Sequence, residues 1–337
     1  MSQVFNNFSL KEFNTFNIEA IAKYFAAPQS IDELIFLLQE KEFLKVPKLI
    51  IGSGSNLLFT KDIEALVIHP EIKGIELIEE NQEHVIVKVA AGEVWDDFVE
   101  WTVRKGYSGI ENLSFIPGRV GAAPVQNIGA YGVELKDVLY KVDALSIEQL
   151  ELTSFTNQEC AFAYRNSIFK NKLRGKYIIA HVYFKLSKKH NFKLNYGNLK
   201  NELQKIGQIN LQTVRDTVIN IRRSKLPEPE ELPNAGSFFK NPVISDETFK
   251  QLITEFPSLV YYPADNSMYK LAAGWLIDYC GLKGYRKDKV GVHKNQALVL
   301  INYGGASGKD ILNLAEHVRK TVFNTFGIKL EFEVNVL

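Results

Sequence analysis

Ile116-Pro117-Gly118-Arg119-Val120-Gly121-Ala122-Ala123-Pro124-Val125-Gln126-Asn127-Ile128-Gly129-Ala130-Tyr131-Gly132 is the stretch on which the fold turns. Its 17 residues hold four glycines, two prolines and three alanines. Proline removes backbone donors and glycine loses the most entropy on ordering, so neither a regular helix nor a good central strand is expected. The stretch also carries little charge, which argues against a solvated loop. A buried, weakly regular segment must send its backbone N–H and C=O groups somewhere. A large polar cofactor lying along it would take them; a closely packed loop is the other reading.

Working outward, the flanks alternate strand and helix signals. Upstream, residues 83–90 read as a strand, and 94–105 as a helix with Trp95, Phe98 and Val99 on one face. Earlier still, Ser30-Ile31-Asp32-Glu33 offers a helix cap before Leu34, Leu37 and Leu38. A short buried strand at 47–51 runs into Gly52-Ser53-Gly54-Ser55-Asn56, and another strand follows at 65–69. Downstream, strands are expected around 138–145 and 177–186, and a helix over 213–223. Leu226-Pro227-Glu228-Pro229-Glu230-Glu231-Leu232-Pro233 reads as an exposed linker. Residues 296–302 then form a clear strand, Ser307 caps a helix that Gly327 ends, and 330–337 alternate as a final strand. The first segment reads as a small α/β unit and the chain from about Gly74 as a second, α+β unit, with no internal repeat.

Composition narrows the function. Forty basic residues against 39 acidic ones leave a net charge of +1, so there is no global field for nucleic acid or an anionic membrane. Cys160 and Cys280 form neither a Cys-x-x-Cys pair nor a framework, and read as reduced thiols of a cytoplasmic protein. No basic start followed by an apolar run opens the chain, and no stretch reaches the ~20 apolar residues of a membrane span. The six histidines lack metal-ligand spacing, and no metal is expected.

Four motifs carry candidate chemistry. Gly52 to Asn56 can form an anion-binding nest or simply a tight turn; without a third glycine and a following helix it is not the dinucleotide fingerprint. Asn234-Ala235-Gly236-Ser237-Phe238-Phe239-Lys240-Asn241-Pro242 offers a hydroxyl but no esterase elbow, and a structural turn is the plainer reading. His293 and His317 are bases for Ser237 only by default. Phe162-Ala163-Tyr164-Arg165-Asn166-Ser167 suggests a partly buried arginine, paired or facing an anion. Glu333 is an acid on an apolar strand, and surface alternation alone would explain it.

Seven strings in order, GSGSNLL (52–58), IPGRVGAAPVQNIGAYG (116–132), FAYRNSIFK (162–170), RRSKLPEPE (222–230), NAGSFFKNP (234–242), KLAAGWLID (270–278) and HKNQALVLIN (293–302), resemble the UDP-N-acetylenolpyruvoylglucosamine reductase (MurB) family. The resemblance implies an α+β protein with an FAD-binding fold of the vanillyl-alcohol-oxidase (PCMH) type in two subdomains. Those are residues 1–73 with 328–337, and 74–226; a smaller α/β substrate-binding domain spans 227–327. It implies an NADPH-dependent flavoenzyme that reduces UDP-N-acetylglucosamine enolpyruvate to UDP-N-acetylmuramate for peptidoglycan. NADPH reduces FAD; a hydride then goes to C3 of the enolpyruvyl group, and Ser237 gives a proton to C2. Arg165 and Glu333 stabilise the charge that develops, and Lys225 supplies a positive field that helps the serine.

On the same ground the cofactor contacts are Gly52, Ser53, Gly54, Ser55, Asn56, Pro117, Gly118, Gly121, Gln126, Asn127, Gly129, Ala130, Tyr131, Gly132 and Arg222. Substrate contacts are Tyr196, Lys225, Asn241, Tyr262, Lys283 and Gln296. Leu194-Asn195-Tyr196-Gly197-Asn198-Leu199 matches the tyrosine loop of the family's longer type, and Ala122-Ala123 stand where some members have serines. The rivals are an FAD-dependent alcohol or sugar oxidase of the same cofactor fold and a nucleotide-sugar binding protein without catalysis. No histidine or cysteine lies in 116–132 to hold a flavin covalently, which weakens the first; Ser237, Arg165 and Glu333 together weaken the second.

Overall fold

In the computed structural model, which describes residues 2–337, Ser30 accepts the Glu33 N–H on its hydroxyl and starts the helix Ile31–Gln39. Leu34, Leu37 and Leu38 form its buried stripe. The helix joins strand Ile21–Ala26 to strand Lys48–Ile50, and both pair in parallel with Ile63–Ile68. Parallel neighbours need such a crossover, and this one covers the sheet face with Leu34, Leu37, Leu38, Leu66 and Ile68 in one core. Val4–Ser9 completes the four-stranded sheet at its edge.

A second sheet has five antiparallel strands, in the order Leu152–Thr156, Leu139–Ser146, Tyr177–Ser187, His84–Ala90, Ile75–Glu80. Helix Trp95–Lys105 lies on it, with Trp95, Phe98 and Val99 buried as their spacing predicts. Gly106, in the left-handed region, ends that helix.

The chain divides into two compact units. Unit 1 comprises the chain up to Phe8, Ile21–Ser53 and Ile63–Arg222; unit 2 comprises Ser9–Ala20, Gly54–Asp62 and Arg223–Leu337. The division falls inside the Gly52–Asn56 loop and inside helix Leu211–Lys225. Residues 226–233 form turns held by bonds from the Glu231 and Leu232 N–H groups to Glu228 O, and by Asn234 Nδ2 on the Pro227 and Leu232 carbonyls.

Unit 2 carries two three-stranded sheets. One orders Val243–Ile244, Tyr269–Leu271, Tyr261–Pro263, and the other Arg286–Lys287, Val290–Val292, Leu300–Asn302. Regular strand thus occupies only the last three residues of the expected 296–302 run. Leu57–Leu58 pairs in parallel with Asn335–Val336, and Thr60 donates both its N–H and its hydroxyl to the Leu337 carbonyl. Bends at Glu333 and Val334 interrupt the expected final strand.

Helix Gly308–Phe326 runs from a Ser307–Asp310 capping box to Gly327 and buries Ile311, Leu314, Ala315, Val318 and Val322. Its first residue must be glycine for space: a Cβ on Gly308 would stand 1.7 Å from the Phe59 carbonyl oxygen. Gly308→Ala is therefore expected to cost about 3 kcal/mol, the upper range of overpacking. Gly327→Ala, at φ +69 with nothing within 4 Å, costs the left-handed backbone alone, about 1–2 kcal/mol. Denaturant midpoints of the two variants check this; equal shifts would show that Phe59 yields.

Cys160 is fully buried in the core of unit 1, and burial, with the Glu159 charge behind it, pushes its thiol up to about 12. The protonated thiol is the form the fold favours. Its contribution is complete below an ordinary thiol pKa of about 8.5, and it is lost as pH rises from there through about 12. At pH 8, Cys280, half-exposed, is expected to react with a thiol reagent while Cys160 reacts only on unfolding. Mass spectrometry of the labelled protein reads this directly.

Candidate active site

In unit 1, the 116–132 segment opens with Phe115 at φ 61. An antiparallel bridge of Arg119 with Val94 follows: Trp95 N–H donates to Gly118 O at 3.0 Å and Val120 N–H to Glu93 O at 2.9 Å. Val120–Gln126 winds as a 3-10 helix around Pro124, a short and tight form that a proline-interrupted run can still take. Gly121 N–H donates to Ala91 O at 2.9 Å, and a Cβ there would lie 2.5 Å from the Ala91 methyl. Part of the backbone satisfaction expected from a cofactor is therefore supplied by Glu93 and Ala91, and Gly121 is fixed by chain packing.

Asn127 is fully buried at φ 47. Its amide donates to Glu134 Oε2 at 3.1 Å and Ala163 O at 3.2 Å, and its oxygen accepts the Lys136 N–H at 3.0 Å. It pins three loops together. One of them is the tight hairpin in which Ala163 and Asn166 exchange backbone bonds at 3.1 Å. Arg165, at its corner with φ 54, donates from Nη2 to Gly129 O at 2.7 Å. The structure thus gathers Asn127, Gly129 and Arg165, and the strained backbone at Phe115, Asn127, Tyr131 and Arg165 is concentrated here. Gln126 Oε1 accepts from Lys170 at 3.4 Å, and Arg222 Nε donates to Phe115 O at 3.0 Å.

Two anchors of this region lie outside the residues singled out by sequence. Asn112, buried, donates to Tyr131 O at 2.8 Å and Lys193 O at 2.7 Å, and so fixes the stem of the Tyr196 loop. Tyr196 is 45% exposed, with its ring edge-on to Tyr131 at 6.2 Å. Burial, the largest influence, raises the Tyr131 phenol against the lowering effect of Arg222. Arg215 meets Asp96 through both nitrogens, at 2.7 and 2.8 Å, and ties helix Leu211–Lys225 to helix Trp95–Lys105. An asparagine and an ion pair so far apart in sequence leave no local pattern to read.

Residues 116–132 fit a bound dinucleotide. Pro117, Ala122 and Gly132 are exposed and Gly118, Gly129 and Ala130 half-exposed, although Arg119 and no other residue of the stretch is charged. Small, uncharged residues held at a surface leave room for flat rings to lie close. Gly52 agrees. A Cβ on it would meet Ala122 and Arg119 at 3.4–3.7 Å, close to ordinary contact, so the chain itself does not demand glycine there.

Unit 2 places Ser237 and Glu333 on adjacent segments. Buried Asn234 accepts the Gly236 N–H at 2.8 Å and sets the turn before Ser237. Ser237 bridges antiparallel to Val299, and Phe239 to Phe332. Glu333 N–H donates to Phe238 O at 2.8 Å, and Asn56 Nδ2 donates to Glu333 O at 3.2 Å. Phe238, Phe239 and Phe332 lock the strands, with centroids 5.2–5.6 Å apart. Ser237 is half-buried, and among the described residues its hydroxyl has no hydrogen-bond partner. Gly54, at φ +66, would place a Cβ 2.0 Å from Phe13 O, so packing against Phe13 fixes this glycine. The structure therefore joins Asn56 to Glu333 and, through Phe238, to the segment that carries Ser237, with Gly54 and Ser55 in the same loop as Asn56.

Asn241 Oδ1 accepts the Ala273 N–H at 2.9 Å at the start of helix Ala273–Tyr279, and the Gln296 side-chain oxygen lies 3.3 Å from where Gly274 would carry a Cβ. Both amides lie at the first turn of that helix. Tyr262, exposed, stands opposite Lys270, whose other neighbour is Val243. Lys270 opens the KLAAGWLID string, and only strand register shows it beside Tyr262. Lys283 pairs with Asp278, and Lys225 is exposed without an ion pair among the described residues. Among those residues no cluster of His, Cys, Asp or Glu could hold a metal, and no helix is long and apolar enough to cross a membrane.

Comparison with known proteins assigns the class first. Residues 22–147 match the family model described as FAD binding domain, and together with the reductases that follow this makes the chain a flavoprotein oxidoreductase of α+β fold. Residues 228–337 match the C-terminal domain of UDP-N-acetylenolpyruvoylglucosamine reductase. Proteins of that name from Flavobacterium johnsoniae and Pseudomonas putida are 51% and 45% identical to it, covering 99% and 97% of this chain and 100% and 97% of their own. The solved reductase from Thermus caldophilus superposes with a TM-score of 0.70 over 100% of this chain and 98% of that one, at 24% identity, and shares the fold. The chain belongs to the UDP-N-acetylenolpyruvoylglucosamine reductase family.

Proposed function

We propose that this chain reduces UDP-N-acetylglucosamine enolpyruvate to UDP-N-acetylmuramate in the cytoplasm, using NADPH, as a step of peptidoglycan precursor synthesis. The observation that carries the reading is the Ser237 hydroxyl: half-buried, on a segment that bridges to Val299 on one side and is bonded to Glu333 through Phe238 on the other, and bonded to no described residue. Bound FAD, reduced by NADPH, supplies a hydride to C3 of the enolpyruvyl group. The chain's own residues handle charge and protons. Arg165, held by Gly129 and its hairpin, meets the carboxylate on which negative charge grows. Ser237 delivers a proton to C2, with the Lys225 cation opposing charge on the serine oxygen. Glu333 shares a proton with the developing enolate. Substrate binding is assigned to residues 227–327, and Tyr196 is a substrate contact as well. The amide nitrogen of Asn241 makes no hydrogen bond among the described residues, which leaves it available to a sugar or phosphate oxygen.

The test is the absorption spectrum of the purified protein. A flavin band that NADPH bleaches, and that the enolpyruvyl sugar restores without oxygen, supports the reading. Restoration by oxygen but not by the enolpyruvyl sugar would favour an oxidase instead.

A further inference from the structure

Three strands of unit 2 meet at Val299. The pairing of Val290 with Asn302, Gly291 with Ile301 and Val292 with Leu300 continues to His293, whose N–H donates to Val299 O at 2.9 Å. On its other edge Val299 bridges to Ser237. Residues directly opposite in antiparallel strands turn their side chains to the same face, so His293, Val299 and Ser237 form one row. Strands lie about 4.8 Å apart, which sets His293 and Ser237 roughly 10 Å apart and excludes a direct serine–histidine pair. Any joint role runs through a ligand lying along the row.

The imidazole is unusual in what it lacks. His293 is 7% exposed, and its Nδ1 is sealed without a hydrogen-bond partner. Nε2 also bonds to no described residue, but it is not sealed. Burial, and then the Lys294 charge, lowers the pKa of the ring, so it is neutral at pH 7 and carries one N–H. A sealed donor without an acceptor is rarer and costlier than a sealed lone pair. The hydrogen therefore sits on Nε2.

We propose that His293 is held as the Nε2–H tautomer and donates that hydrogen bond to an anionic oxygen of the substrate, from its diphosphate or its carboxylate, on the Ser237 face of the row. This rests on the function proposed above. The neutral donor differs from the lysines in charge and from Ser237 in giving up no proton.

Two measurements on the FAD-loaded enzyme test it. In 15N-histidine NMR, His293 should show the Nε2–H tautomer; a Nδ1–H or doubly protonated ring overturns the proposal. In binding titrations with the enolpyruvyl UDP-sugar, His293→Phe should weaken affinity about 10- to 100-fold, the range of one hydrogen bond to a charged group. His293→Gln, whose amide places an N–H near Nε2, should stay within about threefold. Wild-type affinity in His293→Phe, or equal losses in both variants with the wild-type flavin spectrum, overturns the contact. UDP-N-acetylglucosamine, which lacks the carboxylate, separates the sources: it loses affinity equally for a diphosphate contact and not at all for a carboxylate contact. If the wild type binds neither sugar, the functional reading falls, and this ligand with it; the NMR result stands apart from that outcome.

Discussion

Replacing Ser237 by alanine leaves flavin reduction by NADPH at wild-type speed and slows flavin reoxidation by the enolpyruvyl sugar about 10²–10⁴-fold, the range of one positioned acid. The substitution removes a hydroxyl that bonds to no described residue, so none of them is orphaned. The strand is held by main-chain bonds, Phe238 N–H to Leu298 O at 2.8 Å and Glu333 N–H to Phe238 O at 2.8 Å, which alanine keeps. What disappears is the proton that the proposed reaction delivers to C2. Stopped-flow traces of the two half-reactions read the effect separately. Equal slowing of both would make the serine a structural residue.

Glu333→Gln is expected to slow the same reoxidation by about 10²–10⁴-fold, while Glu331→Gln leaves it unchanged and shifts stability by no more than about 0.5 kcal/mol. Strict alternation would put both acids on one face. The structure separates their surroundings. Glu331 is 73% exposed and pairs with Lys240 at 3.0 Å, a surface contact of little consequence. Glu333 is half-buried where the chain bends, with its N–H on Phe238 O and its C=O on Asn56. Glutamine keeps the shape of Glu333 and the backbone bonds, but it cannot share an acidic proton. Wild-type reoxidation in Glu333→Gln would leave the carboxylate without a chemical role.

The helices were legible because their signals are local. Ser30 and Ser307 each accept the N–H three residues on, and Gly327 closes the last turn, as caps and 3.6-residue spacing require. The strands at 84–90 and 177–187 were legible from their β-branched runs. Residues 116–132 were read correctly as irregular. Their partners, Ala91, Glu93 and Arg165, lie tens of residues away, and composition cannot name them. Glu333 shows the same limit, since a bend is set by what pairs on either side and not by the order of apolar residues. The catalytic and binding roles came from resemblance to a family; Asn112, Arg215 and Lys270 needed the folded chain.

The parallel pairing of Leu57–Leu58 with Asn335–Val336 also orders events in time. A ribosome adding about 5–20 residues each second has made every strand of the five-stranded sheet by residue 187, and that sheet needs nothing later to pair. Residues 54–62 must instead wait for a strand that emerges some fifteen seconds to a minute after them, at the same rate. The bond from Asn56 to Glu333 spans 277 positions, and no part of the nascent chain before it can make it. The segment that carries Ser237 and the one that carries Glu333 therefore come together only at the close of synthesis. A chain stalled short of residue 333 can hold the folded five-stranded sheet, but it leaves the edge of Leu57–Leu58 unpaired and Asn56 without Glu333.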